Sequence, residues 1–535
     1  MTSQSLPERP NLEQLKNQAK TLLRAARSRE VTALRRFQVL PQLRPKSVDE
    51  LGTMALAQAL ALHDAQSVIA REHGFQSWNA LRDEVEERSL SFDGAVEEFV
   101  RCATGGVPTR ALRLLARHSG IAHANLHAEL VLGDAAAVEA RLQKNPDLAQ
   151  QSGGVQNWEP LLYVCHTFLH HDDPARAAGL VEIARNLLAR GANPNAEYHW
   201  NWHPELPRTA LWAALCAANL PALAEVLLES GANPTDGVSM HITAGGGNLA
   251  ALEQLHRFGV NVNGVPGGVP PLRYILSWAA NDPVQTRGIF WLLDHGADPN
   301  LAWGEQGDAP LHIAAERWDV PMVERLVRHG ADIQQRRADG RTPHTVAELH
   351  GNSEVAAWLL AHGAQDELSA LDRFVATCAR GDRSSAQTLL QAHPELRSQL
   401  RSEHHLMMHV PAERGDAVVL DTMLACGFDP SAQDKDRVTA LHRSAMGGHV
   451  EATRVLLAHG APVNALDGMF SAMPLVWAAE GRSHSPAHGS DHVGVARLLI
   501  QAGSALSWVA PEKAPDPERT HEQVSELVRA AQAEP

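Results

Sequence analysis

The chain has 535 residues, 44% of them hydrophobic and 20% charged, with a formal net charge of −15. That length exceeds one compact core, so the chain either divides into several domains or grows by adding repeats. The acidic balance argues against a general nucleic-acid binder, which is usually basic.

The five cysteines, Cys102, Cys165, Cys216, Cys378 and Cys426, stand far apart and form no CxxC or histidine-spaced set. They fit buried thiols in a reducing compartment rather than a disulfide framework. The opening MTSQSLPERPN carries no apolar signal core. No run of about 18 apolar residues occurs that could span a membrane. A cytoplasmic protein is expected.

Residues 1–46 carry ten Lys/Arg against three Asp/Glu, a basic segment on an acidic chain. It reads as a solvated helical face, or as a contact for an acidic partner or a nucleic-acid phosphate backbone. Asn11 is placed to cap a helix whose Leu12, Leu15, Ala19, Leu22, Leu23 and Ala26 share one face, with Gln14 set for a capping box. Pro41 and Pro45 break the chain. A single long helix is expected from about Asp49 to His73, stopping at Gly74. Ser77 then caps a short helix bearing Trp78, Leu81 and Val85.

Two helix pairs follow, Phe99–His118 and Leu126–Leu148, turning at Gly105-Gly106 and Gly133-Asp134. The clearest regularity lies at Asp308–Ala364, where two units share one grammar. A turn leads into Ala309-Pro310-Leu311-His312 or Thr342-Pro343-His344-Thr345, then an alanine-rich helix, then a second helix ending at Gly330 or Gly363. Proline suits a first helical turn, where a missing N–H costs nothing. Val323, Leu326 and Val327, and again Val355, Leu359 and Leu360, have the spacing of a buried helix face. Gly330 and Gly363 stand 33 residues apart.

A period of 33 residues carrying A-P-L-H-I-A in phase resembles the ankyrin-repeat family. The same glycine phase continues at Gly191, Gly231, Gly259, Gly296, Gly427, Gly460 and Gly503, with Thr439-Ala440-Leu441-His442 and Met473-Pro474-Leu475 restoring the motif late in the chain. A degenerate unit at Leu371–Leu396 has QAHPEL in place of LAHGAD. Ala61–Glu86, ALHDAQSVIAREHGFQSWNALRDEVE, resembles a module at the N-terminus of some bacterial ankyrin-repeat proteins, with His73 in place of an aromatic residue. Its expected role is to shield the apolar end of the first repeat.

The resemblance implies an all-α fold: an ankyrin-repeat solenoid of helix-turn-helix units joined by β-turn or hairpin loops, preceded by a small helical module. The expected divisions are a helical module (1–90), two degenerate helix pairs (91–154), about ten ankyrin units (155–508), and a linker with a C-terminal helix (509–535). Insertions are expected at His170–Leu180, in EYHWNWHPELPR before Thr209, and in GRSHSPAHGSDH within the last repeat.

Three histidine sets invite a metal-dependent hydrolase or a metal sensor: His166, His170 and His171 with Asp172 and Asp173; His404, His405 and His409; and His484, His488 and His492. The first lacks the HExxH glutamate, and Pro486 and Gly489 break the third. There is no G-x-S-x-G elbow and no G-x-x-x-x-G-K-[ST] loop. Gly245-Gly246-Gly247 falls where the repeat puts its inter-helix turn. The expectation is therefore a protein without enzymatic activity, cofactor or metal.

In ankyrin arrays the turn before each TPLH element and the first helix line a concave groove. Aromatic residues there are candidate anchors for a protein partner, since they bury much area with few lost rotamers. The candidates are Trp158, Tyr198, Trp200, Trp202, Trp303 and Phe470. The identity of the partner is not written in them.

Overall fold

The computed structural model describes residues 6–7, 10–41, 43–56, 60, 62–200, 203–278, 283–484, 490–506 and 517–533. They form two compact units. The first comprises Met1–Thr243 with Ala250–Val260, and the second Ala244–Leu249 with Asn261–Pro535.

The first unit opens with five helices: α1 (Leu12–Arg27), α2 (Val31–Phe37), α3 (Val48–Leu56), α4 (Leu62–Glu72) and α5 (Trp78–Ser89). Asn11 Oδ1 accepts the Gln14 N–H at 3.0 Å, and Leu15, Ala19, Leu22, Leu23 and Ala26 are buried, as the spacing predicts. The single helix expected from Asp49 to His73 is instead two. A straight rod would lie along one side of α1, whereas the break lets α3 and α4 each pack on it, with Leu60 buried between them. The sequence reading also passed over α2, whose Phe37 is fully buried.

Helix pairs follow: α6 (Phe92–Thr104) with α7 (Pro108–Arg117), α8 (Leu126–Leu132) with α9 (Ala135–Lys144), and α10 (Pro160–His166) with α11 (Pro174–Ala189). The insertion before Thr209 is a hairpin of β1 (Glu197–Trp200) and β2 (His203–Thr209), with Tyr198 opposite Arg208. It leads into α12 (Ala210–Trp212), a π turn (Ala213–Ala217) and α13 (Pro221–Glu229). Helices α14 (Ser239–Gly245) and α15 (Leu249–Arg257) enclose the glycine triplet, which is an inter-helix turn.

The second unit continues the pairs as α16 (Pro271–Trp278) with α17 (Pro283–Asp294), α18 (Pro310–Arg317) with α19 (Val320–Arg328), and α20 (Pro343–Leu349) with α21 (Ser353–Ala361). Next come α22 (Ala370–Ala379), α23 (Arg383–Ala392), α24 (Leu396–Gln399), α25 (Ser402–Leu406), α26 (His409–Arg414) and α27 (Ala417–Ala425). The unit closes with α28 (Ala440–Gly447), α29 (Val450–Ala458), α30 (Pro474–His484), α31 (His492–Gln501) and α32 (Pro517–Ala533). Helix α32 is the C-terminal helix expected within 509–535. It packs on α30 and α31, burying Val524, Leu527 and Ala531.

Three devices repeat. Gly330, at φ 93°, closes α19: its N–H reaches Val327 O, and the Ala331 N–H reaches Leu326 O, both at 3.0 Å. This is a Schellman end, and the positive φ favours glycine there. Asparagines then tie the loops of neighbouring units. Asn300 Oδ1 accepts the Asp332 N–H at 2.7 Å while its Nδ2 donates to Gly330 O at 2.8 Å.

The third device is the TPLH histidine. The Thr439 N–H donates to His442 Nδ1 at 3.1 Å, and His442 Nε2–H donates to Ala472 O of the next unit at 3.1 Å. His312 repeats this, with the Ala309 N–H on Nδ1 and Nε2–H on Gln335 O. A ring that accepts at Nδ1 and donates at Nε2 is held neutral.

One position breaks the pattern. The motif's leucine (Leu311, Leu441, Leu475) is His344 in the Thr342-Pro343-His344-Thr345 copy. His344 is fully buried, and neither ring nitrogen has a hydrogen-bond partner. Unsatisfied buried polar atoms cost about 1–3 kcal/mol each. His344→Leu is therefore expected to raise stability by about 1–2 kcal/mol, read as a higher denaturation midpoint at neutral pH. A fall in that midpoint would show that the ring is serving a packing need leucine cannot meet.

Candidate partner-binding surface

Two of the predicted turn aromatics, Trp158 and Tyr198, meet in the first unit. Trp158 ends a tight loop closed by the Gly153 N–H on Trp158 O at 3.0 Å. Tyr163, fully buried, braces that loop from α10: its hydroxyl donates to Gly153 O at 2.8 Å and accepts the Gln156 N–H at 3.1 Å. Tyr198 projects from β1, and its ring centroid lies 4.3 Å from that of Trp158.

Two residues outside the predicted set complete the cluster. His166, the last residue of α10, lies 4.9 Å from Trp158, 5.2 Å from Tyr198 and 5.8 Å from Trp212. Trp212 follows its cap Thr209, whose Oγ1 accepts the Trp212 N–H at 2.9 Å, and Arg208 sets its guanidinium 4.2 Å over the indole. Trp158, Tyr198 and Trp212 are half-buried, while His166 is 3% exposed.

His166 Nδ1–H donates to Leu162 O at 2.9 Å, which leaves Nε2 as an acceptor. Nε2 is buried without a partner, and so is the Trp212 Nε1–H donor. Burial pushes the His166 imidazole down to about 4, with nearby Arg208 acting in the same direction, so the ring is neutral at pH 7. Burial also raises the Tyr198 phenol above its ordinary range. The result is an uncharged aromatic patch with a cation, Arg208, on one edge.

Trp202 lies outside the described residues, as does the side chain of Trp200. In the second unit Trp303 is half-buried, with Arg273 5.1 Å above its ring and its loop closed by pairing with Asp308. Phe470 lines a separate apolar cavity of about 190 Å³ with Met446, Met469 and Trp477. Trp303 and Phe470 thus sit in separate local arrangements of the second unit.

The histidine sets have individual roles. Helix α10 ends at His166, so His166 and His170 do not share a helical face. His170 Nε2 bonds Ala218 O at 2.9 Å, just past the π turn, and His171 Nδ1 bonds Phe168 O at 3.0 Å. His404 Nδ1 accepts the Arg401 N–H, His405 Nδ1 accepts the Asp429 N–H, and His409 Nδ1 lies 3.9 Å from Asp434. His492 Nε2 bonds Met446 O at 3.0 Å; His488 and the side chain of His484 lie outside the described residues.

Sequence reading also missed a buried ion cluster. Glu87 on α5 has a fully buried side chain and faces three guanidinium groups of α7: Arg113 at 2.6 Å, Arg110 at 3.5 Å and Arg117 at 3.6 Å. Glu84 adds a contact to Arg117 at 2.7 Å. The i, i+3, i+7 spacing of the arginines puts them on one helical face, and it is visible in the sequence.

Residues 276–369 and 406–506 match the family model for ankyrin repeats, in three copies. Among curated proteins, mouse Rabankyrin-5 is 27% identical over 219 residues, covering 38% of this chain and 19% of that protein. Human SH3 and multiple ankyrin repeat domains protein 2 is 30% identical over 174 residues, 32% of this chain and 9% of that protein. Human B-cell lymphoma 3 protein is 28% identical over 185 residues, 34% and 35%. The chain therefore spans a fifth or less of the first two relatives. The solved human ASB11 ankyrin repeat domain aligns with a TM-score of 0.33 at 24% identity, covering 45% of this chain and 98% of that one. No helix among the described residues is long and apolar enough to cross a membrane. The in-phase motifs, the recurrent Schellman ends and the matching family model lead to one statement: this chain carries ankyrin repeats.

Proposed function

We propose that the protein is an intracellular scaffold that binds a protein partner through the turn loops and first helices of its repeats, the concave side of such arrays. The observation that carries this reading is the cluster of Trp158, Tyr198 and Trp212 around His166. Half-buried indole and phenol rings offer large contact area at low entropic cost, which is why they dominate binding hot spots. Arg208 adds a cation that favours an acidic or carbonyl-rich edge on the partner. Trp303 and Phe470 would serve as secondary contacts. The five free thiols agree with a cytoplasmic setting.

The reading is binding rather than catalysis: His170, His171, His404, His405 and His492 each commit a ring nitrogen to a backbone group. Trp158→Ala combined with Tyr198→Ala is expected to abolish capture of a specific partner from host lysate, with the circular dichroism spectrum unchanged. Alanine at such anchors typically costs about 2–4 kcal/mol of binding, or roughly 30- to 1,000-fold. An unaltered set of captured proteins would remove this cluster as the site.

A further inference from the structure

Beside the degenerate repeat the second unit holds a cavity of about 370 Å³, walled by α18, the turn before α20, α20 itself, α25 and α26. Helix α22 packs on α20, yet none of its residues lines the space. The volume falls in the range of small-ligand sites, roughly 300–1,000 Å³. One wall is apolar: Leu349 is buried, and Leu406, Met407 and Val410 are half-buried.

The charged groups on the other wall are unequally satisfied. Arg337 is held by Asp308 at 3.1 Å and by Asp339, and Arg341 by Asp339 at 3.3 Å with Asp372 at 3.7 Å. Both cations thus already have counter-charges. Glu316 of α18 is half-buried and Glu403 of α25 is exposed, and neither makes an ion pair with another described residue. His409 lines the same space, with its Nε2 buried and lacking a partner among the described residues. Burial lowers the pKa of His409 and of His350, the other imidazole on the cavity, so neither ring brings a positive charge at neutral pH. What the lining leaves unmatched is negative charge, facing an apolar wall.

We propose that this cavity receives an arginine side chain of a peptide partner, with its guanidinium between Glu316 and Glu403 and its stem on Leu406, Met407 and Val410. The proposal rests on the binding reading above and adds a contact in the second unit with the chemistry it selects. A guanidinium keeps its charge, presents five N–H donors in one plane and is more weakly hydrated than an ammonium, so it enters a half-apolar site at lower cost. Its methylene stem covers apolar surface while the head stays on the carboxylates. An acidic side chain would meet Glu316 and Glu403 with like charge, which opposes it.

The test titrates the full-length protein, carrying carbon-13 in its methionine methyl groups, with a short alanine-flanked peptide that contains one arginine. Met407→Leu identifies the signal from the cavity. The expected result is a saturating shift of the Met407 signal by the arginine peptide and roughly tenfold weaker binding of the lysine counterpart. The citrulline counterpart, which keeps the shape without the charge, should not bind. Glu316→Gln should weaken the arginine peptide about 10- to 100-fold, the range of a charged hydrogen bond, with an unchanged circular dichroism spectrum. Glu403→Gln, at an exposed position, gives the same reading if Glu316→Gln misfolds.

No Met407 shift, equal binding of the citrulline peptide, or undiminished affinity in the glutamine variants would overturn the site. Lysine binding as tightly as arginine would overturn the guanidinium assignment. Acetyl-arginine amide binding as tightly as the peptide would overturn the peptide partner in favour of a small guanidino compound. Because the probe is a defined peptide, a failure here leaves partner capture through Trp158 and Tyr198 standing, and loss of that capture leaves this titration unchanged.

Discussion

Acidification from about pH 7 towards about pH 4 is expected to destabilise the repeats progressively, because the histidines that join them must stay neutral. In the TPLH copies at His312 and His442, Nδ1 accepts a backbone N–H while Nε2 donates to the next unit. Protonating Nδ1 would place two donors face to face. Burial lowers the pKa of both rings, and likewise those of His127, His170, His344, His350, His404 and His409. Burial holds His166 down to about 4.

The sign follows from proton binding. In the window between the unfolded value, about 6.5, and the folded one, the unfolded chain holds a proton that the folded chain refuses. Stability is therefore complete above that window and is lost as pH falls through it. His166 alone contributes on the order of 3 kcal/mol over this range, and each further lowered histidine steepens the slope by up to about 1.4 kcal/mol per pH unit. Urea midpoints measured from pH 7.5 to pH 4.5 should fall steeply, and less steeply in His166→Phe. A flat profile would mean that these rings are solvated or already protonated in the folded chain.

Glu87→Ala is expected to cost about 1–3 kcal/mol, because it removes the buried carboxylate shared by Arg110, Arg113 and Arg117, of which Arg110 keeps Glu98 and Arg117 keeps Glu84. The loss should be local to the junction of α5 and α7. Limited proteolysis of the variant should release fragments near residues 89–92, and hydrogen exchange should quicken in α6 and α7. Glu87→Gln, which keeps the volume and one acceptor, should fall between the two. If Glu87→Ala left the proteolysis pattern unchanged, the N-terminal helices would be held by apolar packing alone, and the clamp would be incidental.

The parts of this fold that were legible in the sequence are those governed by local chemistry. Gly330 and Gly363 mark helix ends because only glycine readily takes the positive φ of a Schellman end, so their period announces the repeat. Asn11 and Ser77 are caps for the same kind of local reason. The break between α3 and α4 was not legible. It arises from both halves packing on α1, a tertiary demand that a continuous apolar pattern conceals.

The candidate surface was half legible. Trp158 and Tyr198 stood out as large aromatics in turns. His166 and Trp212 were absent from that set because their meeting depends on the β1–β2 hairpin turning back over α10. Trp303 and Phe470 fit the same sequence rule, yet they belong to other local arrangements. A residue type in a turn announces an exposed ring, but only the fold says which rings share a patch.

Hydrogen exchange on the protein, free and bound to its captured partner, tests the binding account most directly. Protection concentrated in residues 153–166 and 197–212 is the predicted result, and it should vanish with Trp158→Ala and Tyr198→Ala. Protection confined to the second helices of the repeats, such as α19 and α29, with those segments unchanged, would contradict it.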